Sequence, residues 1–469
     1  MTSGSGAPTW TVAGIVRANA EQRPDAVAVV HDDRRQTWAE LDARSSSVAL
    51  GLASAGLSAD DRVAFIEKNG PEYFEVLFGA AKLGAVNVAV NWRLAAREMQ
   101  YVVNDSEAKV LFVGAEFAPQ LEEMRQSLDT VKTVVGIGGS HGDAAYEDWL
   151  GAEEASDPGH VGRPEEVALQ LYTSGTTGQP KGAMLTNANL GGMIPRLAPE
   201  WRMDDGGASL VAMPLFHIGG SGWALVGMFA GARSVVVRDP VPHLLLDTIE
   251  GEAVTNAFLV PALLQLLCAV PGAARRDFSS LRAIMYGASP ITERALVTAM
   301  ETFGCDFFQL YGLTETTGAI TQLDPADHDP GGRRAGLLRS AGRPYPWVEL
   351  IVADPDTGAE RARGEVGELW TRSSQNMLGY WNKPGADAAV FTPDGWFRTG
   401  DAGYMDAQGY VFLTDRIKDM IVSGGENVYP AEVENVLAEY PAVADVAVIG
   451  VPDARWGETV KAVVVLRDG

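Results

Sequence analysis

Over the first 140 residues two hydrophobic patterns take turns. Short apolar runs, "AVAVV" (26–30), "RVAFIE" (62–67), "AVNVAV" (85–90), "KVLFVG" (109–114) and "TVVGIG" (133–138), predict strands. Between them, "TWAELDARSSSVALGLASAG" and "GPEYFEVLFGAAKLG" carry apolar residues at helical spacing. Thr37, three residues before Glu40, predicts a capping box, and Gly84 closes the second helix. This alternation of strand and helix predicts an α/β fold with a mostly parallel sheet.

Residues 167–320 repeat the theme, with strands at "LVAMPLF" and "SVVVRD" and helices at "PALLQLLCAV" and "TERALVTAMETFG". "LRAIMYGASP" runs a strand into a Gly-Ala-Ser-Pro turn. Gly206 to Ala232 carries no formal charge and is long enough to span a bilayer, but Pro214, His217 and seven glycines interrupt it. A buried strand, a loop and a buried helix are expected there instead. After about Gly336 the strands shorten and turns multiply, as at "DPDTG", where Pro presets φ and Gly supplies a positive one. From Asp415 the pattern becomes a helix, "AEVENVLAEY", then strands, "VADVAVIGV" and "TVKAVVVL". The fold class expected is therefore α/β: a large N-terminal domain (1–415) of αβ-layered subdomains plus a β-rich subdomain, then a small α+β C-terminal domain (416–469).

Composition narrows the function. The chain has 469 residues, 46% of them hydrophobic, enough for more than one ordinary domain. A net charge of −24, spread along the chain, disfavours nucleic acid as a partner, since phosphate backbones need a basic face. The two cysteines, Cys268 and Cys305, lie in apolar segments, so no zinc site or disulfide framework is expected and a reducing, cytoplasmic location fits. The N-terminus lacks the pattern of a secretion signal.

Lysine is scarce, with eight in the chain, and one of them stands in a loop rich in glycine and hydroxyls: "YTSGTTGQPKG", Tyr172 to Gly182. Backbone amides and hydroxyls after an apolar strand suit an anion, and Lys181 adds a mobile positive charge. A Walker loop needs glycine directly before its lysine; here Pro180 precedes Lys181 and Gly182 follows it, so this is another kind of phosphate loop.

The loop resembles the signature of the adenylate-forming superfamily, which includes acyl-CoA synthetases, luciferase-type enzymes and peptide-synthetase adenylation domains. "MPLFHIGG" (213–220), "MYGASPI" (285–291), "YGLTE" (311–315), "GELWTRSSQNMLGYWNKP" (367–384), "WFRTGD" (396–401) and "DRIKDMIVSGGENVYPAEVE" (415–434) follow in family order and cover essentially the whole chain. The resemblance implies coupling of a carboxylic acid to ATP, giving an acyl-adenylate and pyrophosphate, then transfer to a thiol. It implies a catalytic set of Lys181, Thr314, Glu315 and His217. Thr173, Ser174, Gly175, Thr176, Thr177, Gly178 and Lys181 would wrap the phosphates, with Thr173 and Glu315 holding Mg2+. Gly287, Ala288, Ser289, Tyr311, Gly312 and Thr314 would border adenine and the α-phosphate, while Asp401 and Arg416 would meet ribose or phosphate. His217, Gly219, Gly220, Gly222, Trp223 and Gly287 would border the acyl pocket, the glycines leaving room for an extended chain. Lys418 would be the hinge, and Gly424 and Gly425 would admit the pantetheine arm of coenzyme A.

One departure stands out. The family's lysine in a P-x-x-x-x-GK context does not occur here, and the one lysine after Lys418 is Lys461, inside an apparent strand. A shortened chain that binds ATP but adenylates orders of magnitude more slowly is therefore expected. The reading is an ATP-dependent carboxylic acid–CoA ligase acting on a fatty acid. Its rivals are an aryl- or steroid-acid–CoA ligase, a peptide-synthetase adenylation domain, and a nucleotide-binding protein without full activity. Chain length, oligomeric state and peripheral membrane contact are left open.

Overall fold

The computed structural model describes residues 10–151, 156–173, 179–416, 421–423, 426–428, 430–438, 440, 442–453 and 457–466. Two large sheets dominate. The eight-stranded one runs, edge to edge, Gly379–Tyr380, Lys181–Thr186, Val167–Thr173, Val86–Ala89, Arg62–Ile66, Val110–Gly114, Thr133–Ile137 and Ala144–Ala145. It is parallel from Val167–Thr173 onward and antiparallel at the opposite edge. The nine-stranded one runs Arg343–Pro344, Gly318–Leu323, Asp306–Leu313, Ala283–Gly287, Asn256–Leu259, Ala208–Val211, Arg233–Val236, Val27–His31 and Arg34–Thr37, parallel through its middle.

Side chains alternate across the first sheet. Val63 and Phe65 face an apolar cluster shared with Val29, Leu210, Ala257 and Ile284 of the second sheet. Ala64 and Ile66 face the other way, onto Met99, Val102 and Val103 of the Ala96–Asp105 helix. The shared cluster is filled by helices Trp38–Ser54, Pro71–Leu83, Asn187–Glu200 and Ile218–Phe229. Thr37 and Glu40 form the expected capping box, and Gly84 caps Pro71–Leu83 at φ 77°. Trp38–Ser54 and Pro71–Leu83 cross closely at Gly79, where a Cβ would come 2.5 Å from Val48 Cγ1.

One reading of the pattern shifts, and one helix escapes it. Of "LVAMPLF" (210–216) only Leu210 and Val211 are strand, in Ala208–Val211, and the chain leaves the sheet ahead of Pro214, which has no ladder donor. Asn187–Glu200 is a helix despite Pro195 and Pro199 inside it, started by a Thr186–Asn189 capping box; its prolines and glycines hid it from the periodicity.

The β-rich region is an antiparallel sheet in the order Glu349–Ala353, Gly367–Arg372, Phe397–Met405, Val411–Arg416. A last antiparallel sheet combines Glu426–Val428, Ile421–Ser423, Gly457–Leu466 and Val443–Asp453, with the helix Pro430–Ala438. Lys461 lies in the Gly457–Leu466 strand, as expected. Among the described residues no helix is long and apolar enough to cross a membrane.

Candidate active site

The carboxyl ends of two neighbouring parallel strands, Ala283–Gly287 and Asp306–Leu313, supply two of the expected segments side by side. Gly287 pairs with Leu310, and a Cβ at Gly287 would lie 2.1 Å from the Leu310 carbonyl oxygen, so only glycine lets the strands approach. The next residue, Ala288, holds φ at 65°, a strained conformation for a residue with a side chain, and turns Ala288 and Ser289 out to the surface. Gly312 is equally confined, with Gly318 O at 1.9 Å from where its Cβ would be.

Tyr311 leaves this platform with its ring buried and its hydroxyl donating to Asp401 Oδ2 at 2.6 Å. Asp401 comes from the β-rich sheet. Its own N–H donates to Thr399 Oγ1 at 3.0 Å, and the neighbouring Gly400 N–H donates to Glu368 Oε1 at 3.0 Å. Glu368 in turn accepts the Trp370 indole N–H at 2.8 Å. Asp401 is therefore a buried carboxylate bonded by Tyr311 on a turn whose backbone is fixed by Thr399 and Glu368. The Arg416 backbone pairs with Asp401 in register; its side chain, like Lys418, Gly424 and Gly425, lies outside the described residues.

The phosphate-loop hairpin pairs Val167–Thr173 with Lys181–Thr186, setting Thr173 opposite Lys181. Ser174, Gly175, Thr176, Thr177 and Gly178 lie outside the described residues. Thr173 Oγ1 donates to Glu315 Oε1 at 2.9 Å, across 142 residues of sequence. Tyr380 OH donates to the same oxygen at 2.9 Å. Among the described residues Glu315 Oε2 accepts no hydrogen bond, so a buried carboxylate keeps one oxygen for another partner. Burial first, and the Glu315 charge second, push the Tyr380 hydroxyl far above the ordinary tyrosine value, so it stays a donor. Thr314, half-buried, opens the single helical turn that carries Glu315. Fully buried Gln375 braces that turn, donating to the carbonyls of Thr316 and Ala319 at 2.9 Å each.

His217 precedes the Ile218–Phe229 helix, its ring 4.4 Å from that of Phe216. One side of it is open, but crowding on the others, and then the Arg93 cation, lower its pKa, so the imidazole is neutral at pH 7. The surrounding glycines do different jobs. A Cβ at Gly219 would meet Phe258 Cε1 at 2.9 Å, and one at Gly222 would meet Ile218 Cδ1 at 3.0 Å. Gly220 departs from the expectation that it opens pocket space: a Cβ there would lie 2.1 Å from the Pro214 carbonyl oxygen, so its absence serves close packing of the helix start on that backbone. Trp223 is buried, donates its indole N–H to Leu210 O at 2.8 Å and packs against Trp201 and Phe258, so it is a fixed core wall.

The pattern of the sequence gave no role to Tyr380, Gln375 or Glu368. Tyr380 stands in a two-residue strand, too short for periodicity, and its sole sequence signal was its place in "LGYWN".

The chain matches the model of the AMP-binding enzyme family over residues 16–381 and that of the AMP-binding enzyme C-terminal domain over 432–469. It is 42% identical over 458 residues to fatty acid–[acyl-carrier-protein] ligase ScoC of Streptomyces coeruleorubidus, covering 96% of this chain and 86% of that one. It is 38% identical over 451 residues to a feruloyl-CoA synthase of an Amycolatopsis species, covering 96% and 87%. Among solved structures it superposes on the anthranilate CoA ligase AuaEII in complex with anthranoyl-AMP with a TM-score of 0.89 and 27% identity, over 99% of this chain and 88% of that one.

Proposed function

The chain belongs to the AMP-binding enzyme family, as an AMP-forming acid–thiol ligase, and we propose that its acid is a fatty acid and its acceptor the thiol of coenzyme A. The observation that carries the site reading is the Thr173–Glu315 hydrogen bond at 2.9 Å, which joins the phosphate-loop hairpin to the acidic end of "YGLTE". Loop amides and Lys181 would receive the phosphate tail, Asp401 the ribose hydroxyls, and the Tyr311 ring the adenine.

The donor set suits Mg2+. One buried carboxylate and one hydroxyl, with no cluster of three or more His, Cys, Asp or Glu side chains among the described residues, fits an ion that keeps its waters and shares phosphate oxygens. Glu315 and Thr173 would hold it, and when bound it would screen the phosphate charge. With the anions screened, the acid's carboxylate oxygen bonds to the α-phosphorus as the bond to pyrophosphate breaks. The thiol sulfur then bonds to the acyl carbon, AMP leaves, and the thiol proton passes to solvent. Positioning and charge screening supply the rate; no protein nucleophile is needed. Between the two steps a small unit, 416–469, turns about a hinge at Lys418, bringing Gly424 and Gly425 to the pantetheine arm. A cytoplasmic setting fits this chemistry.

The similarity to ScoC favours a second reading, in which the acceptor thiol belongs to a carrier protein, and the similarity to a feruloyl-CoA synthase favours an aromatic acid. AMP release and thioester formation, measured with long-chain fatty acids, ferulate and anthranilate, and with free coenzyme A against a carrier protein bearing a free pantetheine thiol, separate these. Fatty acid with free coenzyme A is expected to give the highest kcat/KM. Preference for an aromatic acid, or no thioester with free coenzyme A, overturns the proposal.

A further inference from the structure

Tyr380 touches both charged groups assigned above to the triphosphate. Its hydroxyl donates to Glu315 Oε1 at 2.9 Å, and the Lys181 ammonium sits 5.2 Å from the centre of its ring. The carboxylate thus meets the hydroxyl edge and the cation meets the π face. Among the described residues Lys181 forms no ion pair, although a buried carboxylate lies just beyond the same ring.

The ring is held firmly. Gly379–Tyr380 forms a short antiparallel strand on Lys181–Thr186, with Tyr380 opposite Ala183. The Tyr380 N–H donates to Asp387 Oδ1 at 2.8 Å, and Gly379, at φ 149°, leaves room for that carboxylate, which a Cβ would meet at 2.9 Å. On the other side Trp381 N–H donates to Gly182 O at 2.8 Å, and the Arg62 guanidinium lies 3.4 Å from the Trp381 ring centre. Tyr380 is 7% exposed, so its ring has little freedom to swing away.

We propose that Tyr380 is a positioning residue that keeps Lys181 and Glu315 apart. Opposite charges close together at a partly buried site attract strongly, and a Lys181–Glu315 pair would neutralise the two groups that a phosphate tail and its metal each require. The tyrosine satisfies each group separately: a neutral donor for the acid and a π face for the ammonium. The inference rests on the reading of Lys181 and Glu315 as groups that meet the nucleotide, and it adds a residue to which no role was assigned.

The test is nucleotide affinity by calorimetry, with ATP in the presence of Mg2+ and again in EDTA, on the whole chain. Tyr380→Phe keeps the ring and loses the hydroxyl. It is expected to weaken binding about tenfold with Mg2+, as fits loss of a hydrogen bond to a charged group, and to leave binding in EDTA unchanged. Tyr380→Leu removes both contacts and is expected to weaken binding in both conditions. Adding Lys181→Met to Tyr380→Leu is then expected to change little, because the lysine is already tied to Glu315. Phe and Leu variants that bind like the parent, while Lys181→Met and Glu315→Gln each weaken binding, overturn the role of Tyr380 alone. Parental binding in Lys181→Met and Glu315→Gln overturns the underlying site reading. A Tyr380→Phe variant that lowers the melting temperature but leaves the Mg2+ dependence intact shows a merely structural tyrosine and also overturns the proposal.

Discussion

The two ends of the candidate nucleotide site are built differently. At the nucleoside end, the Tyr311 hydroxyl ties the nine-stranded sheet to Asp401 of the β-rich sheet, where backbone N–H bonds to Thr399 and Glu368 hold the Asp401 turn. At the phosphate end, Glu315 carries two neutral donors on one oxygen, with Lys181 resting on an aromatic face. The first arrangement is held in place by the protein's own bonds before any ligand arrives. The second keeps acceptor and cation capacity in reserve. Preorganised groups contribute affinity whatever the counterion, while groups held in reserve contribute when the charge they await is present.

The largest expected effect attacks the nucleoside end. Asp401→Ala removes a buried carboxylate that both orients Tyr311 and would accept ribose hydroxyls. ATP affinity is expected to fall about 100-fold, equally with Mg2+ and in EDTA, because two charge-assisted bonds are lost. Glu315→Gln is expected to weaken binding with Mg2+ alone. Calorimetry on both variants checks the contrast, and it breaks if the Asp401 loss appears only with Mg2+.

A second substitution asks whether the nucleoside end is also a pillar of the fold. Gly287→Ala drives a methyl group against the Leu310 carbonyl, between two hydrogen-bonded strands that cannot separate without shearing the sheet. Urea unfolding is expected to show a loss of about 2 kcal/mol, typical of overpacking. Glu315→Gln, which keeps an acceptor for Thr173 and Tyr380, is expected to leave the midpoint nearly unchanged. Equal losses in the two variants would erase the distinction between the ends.

Much of this was legible in the sequence for a local reason. Strand and helix periods are set by neighbours in the chain, so the Arg62–Ile66 and Val110–Gly114 strands and the Trp38–Ser54 helix with its capping box stood out. The strand Ala283–Gly287 running into its Gly-Ala-Ser-Pro turn also stood out, because a glycine at a strand end followed by a proline is a local turn signal. What the pattern could not carry is contact between distant segments. Nothing near Val27–His31 says that, besides the adjacent Arg34–Thr37, it pairs with Arg233–Val236 far along the chain. Nothing in "LGYWN" says that its tyrosine reaches Glu315, and Gly220 looks like spare pocket volume until the Pro214 carbonyl is seen beneath it. The loop 174–178 and the hinge remain expectations of sequence.

Acid should also distinguish the two ends, by the smallest effect. Behind Gly287, the buried Tyr286 hydroxyl meets His328 Nε2 at 3.0 Å, and His328 Nδ1 lies 2.9 Å from the Asp324 carbonyl oxygen. A carbonyl can only accept, so Nδ1 carries the ring proton and Nε2 accepts from the tyrosine. Burial lowers the His328 pKa below its ordinary 6.5, outweighing the Asp324 backbone acceptor and the carboxylates of Asp327, Asp324 and Asp306. In the window below 6.5 the unfolded chain therefore binds a proton that the folded one refuses. The stabilisation is fully present above that value and is lost as pH falls through the folded pKa. His328→Gln keeps an acceptor for Tyr286 and has nothing to titrate, so its unfolding free energy is expected to fall less steeply than the parent's between neutral and mildly acid pH. If the two slopes coincide, His328 titrates in the fold as it does in the unfolded chain, and the nucleoside end is less closed to solvent charge than its hydrogen bonds imply.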